Sequence, residues 1–520
     1  MLTAYKVVGT LATLGFLWIV RRRSGKKSRL PLPPGPPGLP LIGNLKDMPT
    51  SLEWERYHEW CKEYNTDILH LRVANTTLIV LDTAEAANDL LEKRSSLYSG
   101  RARLPMVNEL MGWTFNFGFM NYGDYWRKHR RIFHQSFHPA AARQFHPHIS
   151  KATRKMLNRF LEDPGDMMEI LRHLAAETVL KIAYGIEIQD KDDPYVRVAE
   201  AAVHTLQTAA IPGTYLVDTV PLLKYIPAWV PGAGFQTKAK EWRVLARKMV
   251  EDPYRTVKAA ILNGTAVTFF VSLSLQKMED GTTDEAYQED IIKSTAGTMY
   301  TAGTDTTVAA ISSCLLALTK HPEILKKAQK ELDSVIQAGS LPDFDDEPSL
   351  PYITAIAREA LRWRDVVPIA IPHMLTVDDE YRGYHLPAGS VVIPNAWAML
   401  HDEKVYPEPF RFNPDRFMKD GKLDLKTQRD PNHACFGFGR RICPGRFMAF
   451  SAVWLAIASI LYVFDIEKKK DECGNDIEPL EEYISTLVVR VLPFQYALRP
   501  RSGEIEELIK RVLRNSDNLY

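Results

Sequence analysis

The residue with the strongest chemical prediction is Cys443, which ends the run FGFGRRIC shortly before an apolar helical pattern that begins at Arg446. Unpaired N–H groups and the dipole at the start of a helix stabilise an anion, and the thiolate is the form of cysteine that binds metals. The nearby glycines let the backbone approach a flat partner, and two arginines can balance carboxylates. An iron porphyrin offers a flat face, a metal and two propionates. The alternative is a buried structural thiol beside a glycine turn.

The spacing Phe-x-x-Gly-x-Arg-x-Cys-x-Gly, from Phe436 to Gly445, resembles the haem-binding signature of the cytochrome P450 family. The resemblance implies that Cys443 is the metal ligand of a haem b (iron protoporphyrin IX). It also implies further cofactor-binding residues in the same run: Phe436, Gly437, Gly439, Arg441 and Gly445. Cys435, eight residues before Cys443, is interpreted as a packing residue.

A second motif, AGTDTT from Ala302 to Thr307, lies inside a long helical pattern. Glycine and clustered threonine are poor helix formers, and a local opening of the helix that frees carbonyls and hydroxyls to hold water would explain them. The stretch looks like the oxygen-activating motif of the same family. That likeness implies that Thr306 is a catalytic residue that contacts bound oxygen and that Asp305 relays protons. The alternative is a threonine-rich helix with a packing glycine.

Three residues elsewhere in the chain are implied to bind the haem propionates. The run WRKHRR resembles the Trp-x-x-x-Arg motif of the family, which assigns Trp126 and Arg130 to a propionate. His373 stands where the family often places another propionate contact. Four cations predict either a docking face for an acidic electron donor or a solvated basic face: Arg127, Lys128, Arg131 and Arg440.

A charged pair in the second half of the chain predicts a structural role. Glu359 and Arg362 share one helical face at i, i+3, and the resemblance implies that they form a buried network with Arg416 that braces the haem pocket. The motifs occur in the order of the family, and the resemblance covers the chain from Pro31 onward. The nearest type is microsomal and fungal, akin to the O-methylsterigmatocystin oxidoreductase-like group. One departure is Asp365, where such proteins often have proline.

The N-terminus predicts a membrane anchor. Leu2 to Val20 is an apolar segment of 19 residues, about 28 Å long as a helix, which matches a hydrocarbon core of ~30 Å. Six cations without an acidic residue follow between Arg21 and Arg29, which favours a cytosolic position for the rest of the chain. A cleaved signal peptide would carry its charges before the apolar run, and a buried core helix fits poorly beside these cations. We expect a single-pass anchor in the endoplasmic reticulum membrane, in contact with lipid, and a catalytic domain that faces the cytosol.

The remaining chain is predicted to be one mainly α-helical domain with small β-sheets, in a P450-like haem-thiolate fold. The division is a transmembrane anchor at 1–20, a basic collar and Pro-rich hinge at 21–40, and a haem-binding monooxygenase domain at 41–520. Apolar spacing predicts helices over Ser51–Tyr64, Ala84–Arg94, Ile149–Leu161, Met167–Tyr184, Tyr287–Lys320, Pro322–Gln337, Ser349–Trp363 and Arg446–Val463. It predicts strands over Ile68–Arg72, Thr77–Leu81, His373–Val377, Ser390–Pro394 and Leu487–Leu492.

Composition excludes some classes of protein. Lys+Arg 65 against Asp+Glu 64 leaves a net charge of +1, which does not predict a nucleic-acid partner. Five cysteines are an odd and low number for 520 residues, so a disulfide framework is not expected and a reducing compartment is favoured.

The resemblance implies a haem-thiolate monooxygenase that inserts one oxygen atom of O2 into a lipophilic substrate (a terpenoid, an aromatic or a xenobiotic), in secondary metabolism or detoxification. The chain has no evident nucleotide-binding motif, so electrons are expected from NADPH–cytochrome P450 reductase. By family analogy the pocket walls are expected at 108–120, 211–230, 299–306, 366–371 and 484–488, with the apolar, Pro-rich stretch 211–235 packed on another apolar surface. The alternatives are a haem-thiolate isomerase or dehydratase without reductase, against which the acid–alcohol pair argues, and a non-catalytic haem-binding membrane protein.

Overall fold

The computed structural model describes residues 30–211, 213–278 and 285–517. Within these ranges the α-helices, numbered in chain order, are α1 Glu53–Glu63, α2 Ala84–Ala87, α3 Ser95–Tyr98, α4 Asp124–Phe137, α5 Pro139–Ala142, α6 His146–Glu162, α7 Met167–Tyr184, α8 Pro194–Ala209, α9 Leu216–Thr219, α10 Gly234–Leu262, α11 Phe270–Gln276, α12 Glu285–Lys320, α13 Pro322–Val335, α14 Pro351–Trp363, α15 Ala396–Leu400, α16 Arg446–Val463 and α17 Gly503–Asp517.

Short π-helical turns cover Asn88–Lys93 and Pro105–Leu110, and 3₁₀ turns include Trp113–Phe115, Pro221–Tyr225, Phe344–Ser349 and Gly439–Arg441. The strands are β1 Ile68–Val73, β2 Thr76–Leu81, β3 His373–Met374, β4 Asp379–Tyr381, β5 Tyr384–Leu386, β6 Val391–Pro394, β7 Met418–Lys419, β8 Lys422–Leu423, β9 Phe464–Glu467, β10 Tyr483–Ile484, β11 Arg490–Val491 and β12 Ala497–Pro500.

The longest described helix, α12, runs through the core for 36 residues and packs on α7, α16, α14 and α4. Two stretches of this helix are buried on all sides, at residues 294–301 and 308–319. Between them, Gly303 meets α7 so closely that a Cβ atom there would lie 2.6 Å from a methyl carbon of Val179. Glycine is therefore needed at this point for the close approach of the two helices.

A small mixed sheet flanks the helices in the order β1-β2-β6-β3. β2 and β6 are parallel, whereas the other two pairings are antiparallel, and His373 of β3 is placed opposite Val392. The Pro-rich stretch before the sheet is extended and is fastened to the body, because the carbonyls of Pro31 and Pro34 accept hydrogen bonds from the N–H groups of His385 and His70, both at 2.8 Å.

The predicted mainly helical class with small sheets is confirmed, and seven of the eight predicted helices are present with bounds within three residues. The eighth, predicted over 84–94, is an α-helix only at Ala84–Ala87 and continues as the π-helical turn Asn88–Lys93. Four long helices among the described residues were missed, α4, α8, α10 and α17. The buried face of α4 is interrupted by cations, α8 buries several alanines, and α10 contains Pro253. Each of these features weakens the apolar period on which such a prediction depends. The predicted strand at 487–492 is shorter and covers only Arg490–Val491.

The predicted anchor at 1–20 and most of the collar lie outside the described residues. Within the described part of the chain, α16 has the length and apolarity to cross a bilayer, but 67% of it is buried inside the protein. α16 is therefore read as a core helix.

Several apolar side chains of the stretch 213–235 are exposed, whereas Val217 is buried. The expectation that this stretch packs on an apolar surface stays a prediction. Leu216, Leu222, Tyr225 and Trp229 are each at least 70% exposed. Polar contacts fasten the segment to the 105–110 turn, including a 2.8 Å hydrogen bond from the N–H of Met106 to Asp218. We call these exposed residues the apolar patch.

Candidate functional site

Ten of the eleven predicted site residues lie on one cavity with a volume of about 330 Å³. They come from α4, α12, β3 and the loop before α16, which are far apart in the sequence. The ten residues are Trp126, Arg130, Asp305, Thr306, His373, Phe436, Gly437, Arg441, Cys443 and Gly445. Gly439 is the exception, because it packs against the backbone outside the cavity lining.

The loop that presents Cys443 is fixed by its backbone. The N–H of Cys443 donates to the carbonyl of Phe436 at 2.8 Å, and the N–H of Gly439 donates to Glu92 at 2.6 Å. Gly439 has a φ of +57°, and a Cβ atom there would lie 2.0 Å from the carbonyl oxygen of Leu91. Only glycine fits this conformation and this approach.

Cys443 lies at the start of α16, as the sequence predicts. Burial is the largest influence on its thiol and raises the pKa, against the N–H groups of Gly445 and Arg446 and the charge of Arg130. The prediction that the helix start by itself favours the thiolate is therefore wrong, since burial outweighs it. A bound metal cation would supply the missing stabilisation, because a coordinated thiol loses its proton.

Three arginines on the cavity wall, two of them buried and one partly buried, have no carboxylate partner among the described residues. Arg101, Arg130 and Arg441 line the cavity, and among the described residues none of them forms an ion pair within 4.0 Å. Burial lowers the pKa of Arg130 to about 10 and that of Arg441 to about 9, and it lowers that of Arg101 as well. Unpaired buried cations are costly. The arrangement therefore suits an anionic ligand.

Trp126 and His373 line the cavity, and each already makes a hydrogen bond to a backbone carbonyl. The indole N–H of Trp126 donates to the carbonyl of Phe117 at 3.1 Å, and the Arg441 guanidinium lies 4.5 Å from the Trp126 ring centroid. Nδ1 of His373 is 2.7 Å from the carbonyl oxygen of Tyr98 and so carries the proton. Burial lowers the pKa of His373 well below its usual value, with Arg101 adding to the effect. The neutral ring has no second donor for a carboxylate, so the arginines are the better anion partners.

Asp305 and Thr306 lie on the cavity in an unbroken helix. The predicted opening of α12 is not present, because the hydroxyl of Thr306 donates to the carbonyl of Ala302 at 2.8 Å within a continuous helix. Gln207 of α8 donates to Oδ2 of Asp305 at 2.6 Å, and Arg490 of β11 lies 3.9 Å from the same oxygen. Asp305 is thus held between two elements at the edge of the cavity.

A buried ion network lies behind the site. Arg362 donates to both carboxylate oxygens of Glu359, at 2.7 and 2.9 Å, and Arg416 donates to Glu359 at 3.2 Å. The side chains of Glu359 and Arg362 are fully buried. The network predicted from the sequence is present, and it holds α14 against the loop that contains Arg416.

Comparison with known proteins decides the family. The family model described as Cytochrome P450 matches residues 33–497. The chain belongs to the cytochrome P450 family. It is 48% identical over 506 residues to Cytochrome P450 monooxygenase 98 of Postia placenta, covering 97% of this chain and 96% of that relative. It is 43% identical to Tryptamine 4-monooxygenase of Psilocybe cyanescens, with 95% and 98% covered, and 42% identical to Cytochrome P450 monooxygenase ple1 of Rhodocybe pseudopiperita, with 98% and 96% covered.

This cytochrome P450 is accordingly a monooxygenase, an oxidoreductase of a family that binds haem. The residues present fit that group. The buried arginines without carboxylate partners match its two propionates, and Cys443 on the same cavity offers a thiol as metal ligand.

Arg101 is the residue of this P450 site that the sequence did not reveal. It donates to the carbonyls of Gly118, Ile371 and Pro372 at 2.8–2.9 Å. The segment before it is held by the N–H of Met374, which donates to Gly100 at 2.9 Å. These contacts join residues about 270 positions apart, and no local spacing around Arg101 signals them.

The walls of the P450 cavity differ in part from those expected. Phe117, Phe119, Val367 and Leu487 line it, but nothing from 211–230 does, because that stretch lies at the surface. Trp113 is instead fully buried in the core. The wall expected from 211–230 is supplied by α7 and α8, through Leu174, Ala175, Thr178, Val179, Val203, Leu206 and Gln207.

We expect Gly439→Ala to destroy haem binding by this P450, because the new methyl group would collide with the Leu91 backbone and displace the loop that carries Arg441 and Cys443. The matched control is Gly421→Ala, where φ is +73° and no atom lies within 4 Å of the added Cβ. In Gly421→Ala the only expected cost is that of an alanine in a left-handed backbone conformation, about 1–2 kcal/mol. Haem content per polypeptide is the measurement, and equal haem content in the two variants would contradict the expectation.

Proposed function

We propose that this protein is a haem-thiolate monooxygenase that holds haem b through Cys443 and inserts one oxygen atom of O2 into a lipophilic substrate. The observation that carries the proposal is that Cys443 shares a single cavity with Arg101, Arg130 and Arg441, which are buried or partly buried and have no carboxylate partner among the described residues. When bound, haem supplies oxygen activation, using electrons from outside the chain. A role in secondary metabolism or detoxification is part of the proposal.

The chain's own residues divide the remaining work. Cys443 would provide the thiolate ligand of the haem iron, and Arg101, Arg130 and Arg441 would hold the propionates. Thr306 keeps a hydroxyl on the cavity, and Asp305 supplies protons to it. Gln207 and Arg490 fix the carboxylate of Asp305 and so set the direction of proton delivery.

The cavity wall supports an apolar substrate. Its members on the side of Asp305 and Thr306 are mostly hydrocarbon, and they include Phe119, Leu174, Val179, Leu206, Val367 and Leu487. Such a lining excludes water and binds ligands through apolar area. The substrate classes we propose are terpenoids, aromatics and xenobiotics. The name of one relative, a tryptamine 4-monooxygenase, gives the aromatic class additional weight.

NADPH–cytochrome P450 reductase is the proposed electron donor. Four exposed cations lie on α4 and on the loop before Cys443, and they are Arg127, Lys128, Arg131 and Arg440. A basic face near the thiolate side suits an acidic protein that delivers electrons.

The proposed location is the endoplasmic reticulum membrane, with a single-pass anchor at 1–20 and a catalytic domain in the cytosol. The apolar patch supports the membrane part of this proposal. Leu216, Leu222, Tyr225 and Trp229 form an exposed apolar run of a kind that soluble surfaces avoid.

Replacement of Cys443 tests the cofactor assignment. We expect the reduced, carbon monoxide-bound wild-type protein to show the thiolate-type Soret band, and we expect Cys443→Ala to lose it, because no thiolate then reaches the iron. Cys435→Ala is the matched control, since Cys435 lines the same cavity eight residues earlier and should leave the band in place. An unchanged spectrum in Cys443→Ala would refute the assignment.

Replacement of Thr306 tests monooxygenase chemistry. With reductase and NADPH, we expect Thr306→Ala to yield about tenfold less product per NADPH, equivalent to one hydrogen bond of about 1.4 kcal/mol, and to release more hydrogen peroxide. Thr304→Ala is the control, because Thr304 makes the same type of bond to the carbonyl four residues before it but does not line the cavity. Product formation without reductase or oxygen would instead support an isomerase or dehydratase.

Fluorescence quenching tests the membrane contact. In vesicles of lipids with brominated acyl chains, we expect Trp229, which is 82% exposed, to be quenched because it enters the bilayer. Full-length Trp229→Phe should therefore lose part of the quenching that the wild-type protein shows. Identical fractional quenching in the two proteins would show that the apolar patch stays in water.

A further inference from the structure

Asp365 is a buried carboxyl on the cofactor cavity that the proposed function does not use. It follows α14 by two residues, and only 2% of its surface is exposed. It lines the same cavity as Cys443. Oδ1 accepts a hydrogen bond of 3.4 Å from the N–H of Val367, whereas Oδ2 has no partner among the described residues. A buried carboxylate oxygen without a partner is costly, and binding a proton reduces that cost.

The cations closest to Asp365 in sequence are engaged elsewhere. Arg362, one turn earlier, binds Glu359, and Arg364 binds Glu481. The negative charge of an ionised Asp365 is therefore left without compensation on its own segment. This sets Asp365 apart from the other carboxyl on the cavity, Asp305, which has two partners.

A titratable group that faces Asp365 is Cys435, on the loop before α16. The charge of Asp365 is the second cause, after burial, that raises the pKa of Cys435, and such effects act over short distances. It is not among the causes acting on Cys443. Arg358, which also faces Cys435, is bound to Asp430 at 3.1 Å. Asp365 thus lies on the Cys435 side of the cavity.

Burial raises the pKa of Asp365 to about 7, against the N–H groups of Val367 and Val366. A carboxyl in this condition changes its charge near neutral pH. A small change in the charge of the cavity therefore decides whether Oδ2 carries a proton. Reduction of a cofactor on the same cavity is such a change, because it adds one negative charge.

We propose that Asp365 is a proton-binding site coupled to reduction of the haem, and that it thereby tunes the reduction potential. One electron from the reductase enters the haem, and one proton from solvent forms the Oδ2–H bond of Asp365. The net charge of the cavity then stays constant. Asp365 acts through the haem and is not a catalytic residue. The inference rests on the proposed function only in that haem must occupy the cavity.

The sign of the effect follows from charge. An ionised Asp365 stabilises the oxidised haem, which is the more positive form, and so lowers the potential. A protonated Asp365 is neutral and does not stabilise the oxidised haem in this way. The potential of the wild-type protein should therefore fall as the pH rises through about 7, and it should be flat well below and well above that value.

The test is a spectroelectrochemical titration of the full-length holoprotein between about pH 6 and pH 8. We expect the potential of the wild-type protein to fall with pH. In Asp365→Asn it should stay at the low-pH value of the wild type, because the amide cannot ionise. Redox-difference infrared spectra should show a carboxylic acid carbonyl band on reduction of the wild-type protein, and that band should be absent from the variant.

Two further variants make the test decisive. Asp365→Pro removes the carboxyl in a second way, and Arg364, at φ −130° and ψ 85°, lies outside the α region that is disfavoured before proline. Glu380→Gln makes the same acid-to-amide change at an exposed position outside the cavity and should keep the wild-type pH dependence. Equal pH slopes in the wild-type protein and Asp365→Asn would overturn the proposal, as would loss of haem from both Asp365 variants. A protein without thiolate-ligated haem would instead refute the proposed function itself.

Discussion

The placement of Arg101 and Arg441, both buried, and of the partly buried Arg130 on one cavity is the constraint on which the rest of this structure depends. Removing a guanidinium group from water costs free energy, which an anion or several dipoles can offset. Among the described residues, Arg101 and Arg441 have only backbone carbonyls as acceptors, and these belong to residues 99, 117, 118, 120, 371 and 372. A cofactor with two carboxylates completes the charge balance. Folding of these loops and binding of the cofactor are therefore linked.

The site also needs a space that is dry and apolar. Close packing of α12 on α7 provides it. Gly303 lets the two helices approach, and the carbonyl of Ala302 then accepts the hydroxyl of Thr306. Four threonines of α12 line the cavity, and each donates its hydroxyl to the carbonyl four residues earlier in the helix: Thr298, Thr301, Thr306 and Thr307. Asp305 adds a carboxylate to this wall. The polar groups that face the cavity serve the chemistry, and other polar groups of the helix have hydrogen-bond partners within the protein.

Local sequence patterns predicted those parts of the site that depend on local structure. The Cys443 loop could be found because its glycine, arginine and cysteine occur at fixed spacing within one turn and one helix start. Arg101 was missed because its burial arises from contacts with residues about 270 positions away. The apolar stretch 211–235 was misjudged for a related reason, since its composition does not say whether its apolar side chains face the cavity or the surface. The prediction that α12 opens locally was wrong, because Gly303 allows the helix to pack closely on Val179 and does not mark a break in the helix.

The two carboxyl groups on the cavity differ in their partners, and this difference separates their roles. Asp305 has the amide of Gln207 and the guanidinium of Arg490 beside one oxygen, so its position is fixed by protein groups. Asp365 has no comparable partner, and its charge can be cancelled only by a proton. The cavity therefore contains one acid whose position is fixed and one whose charge responds to its surroundings. Reduction of a cofactor adds one negative charge to the cavity. Because no protein cation compensates the charge of Asp365, this residue responds most strongly to that change. Asp365, which departs from the family pattern, is therefore the acid that we propose is coupled to the cofactor.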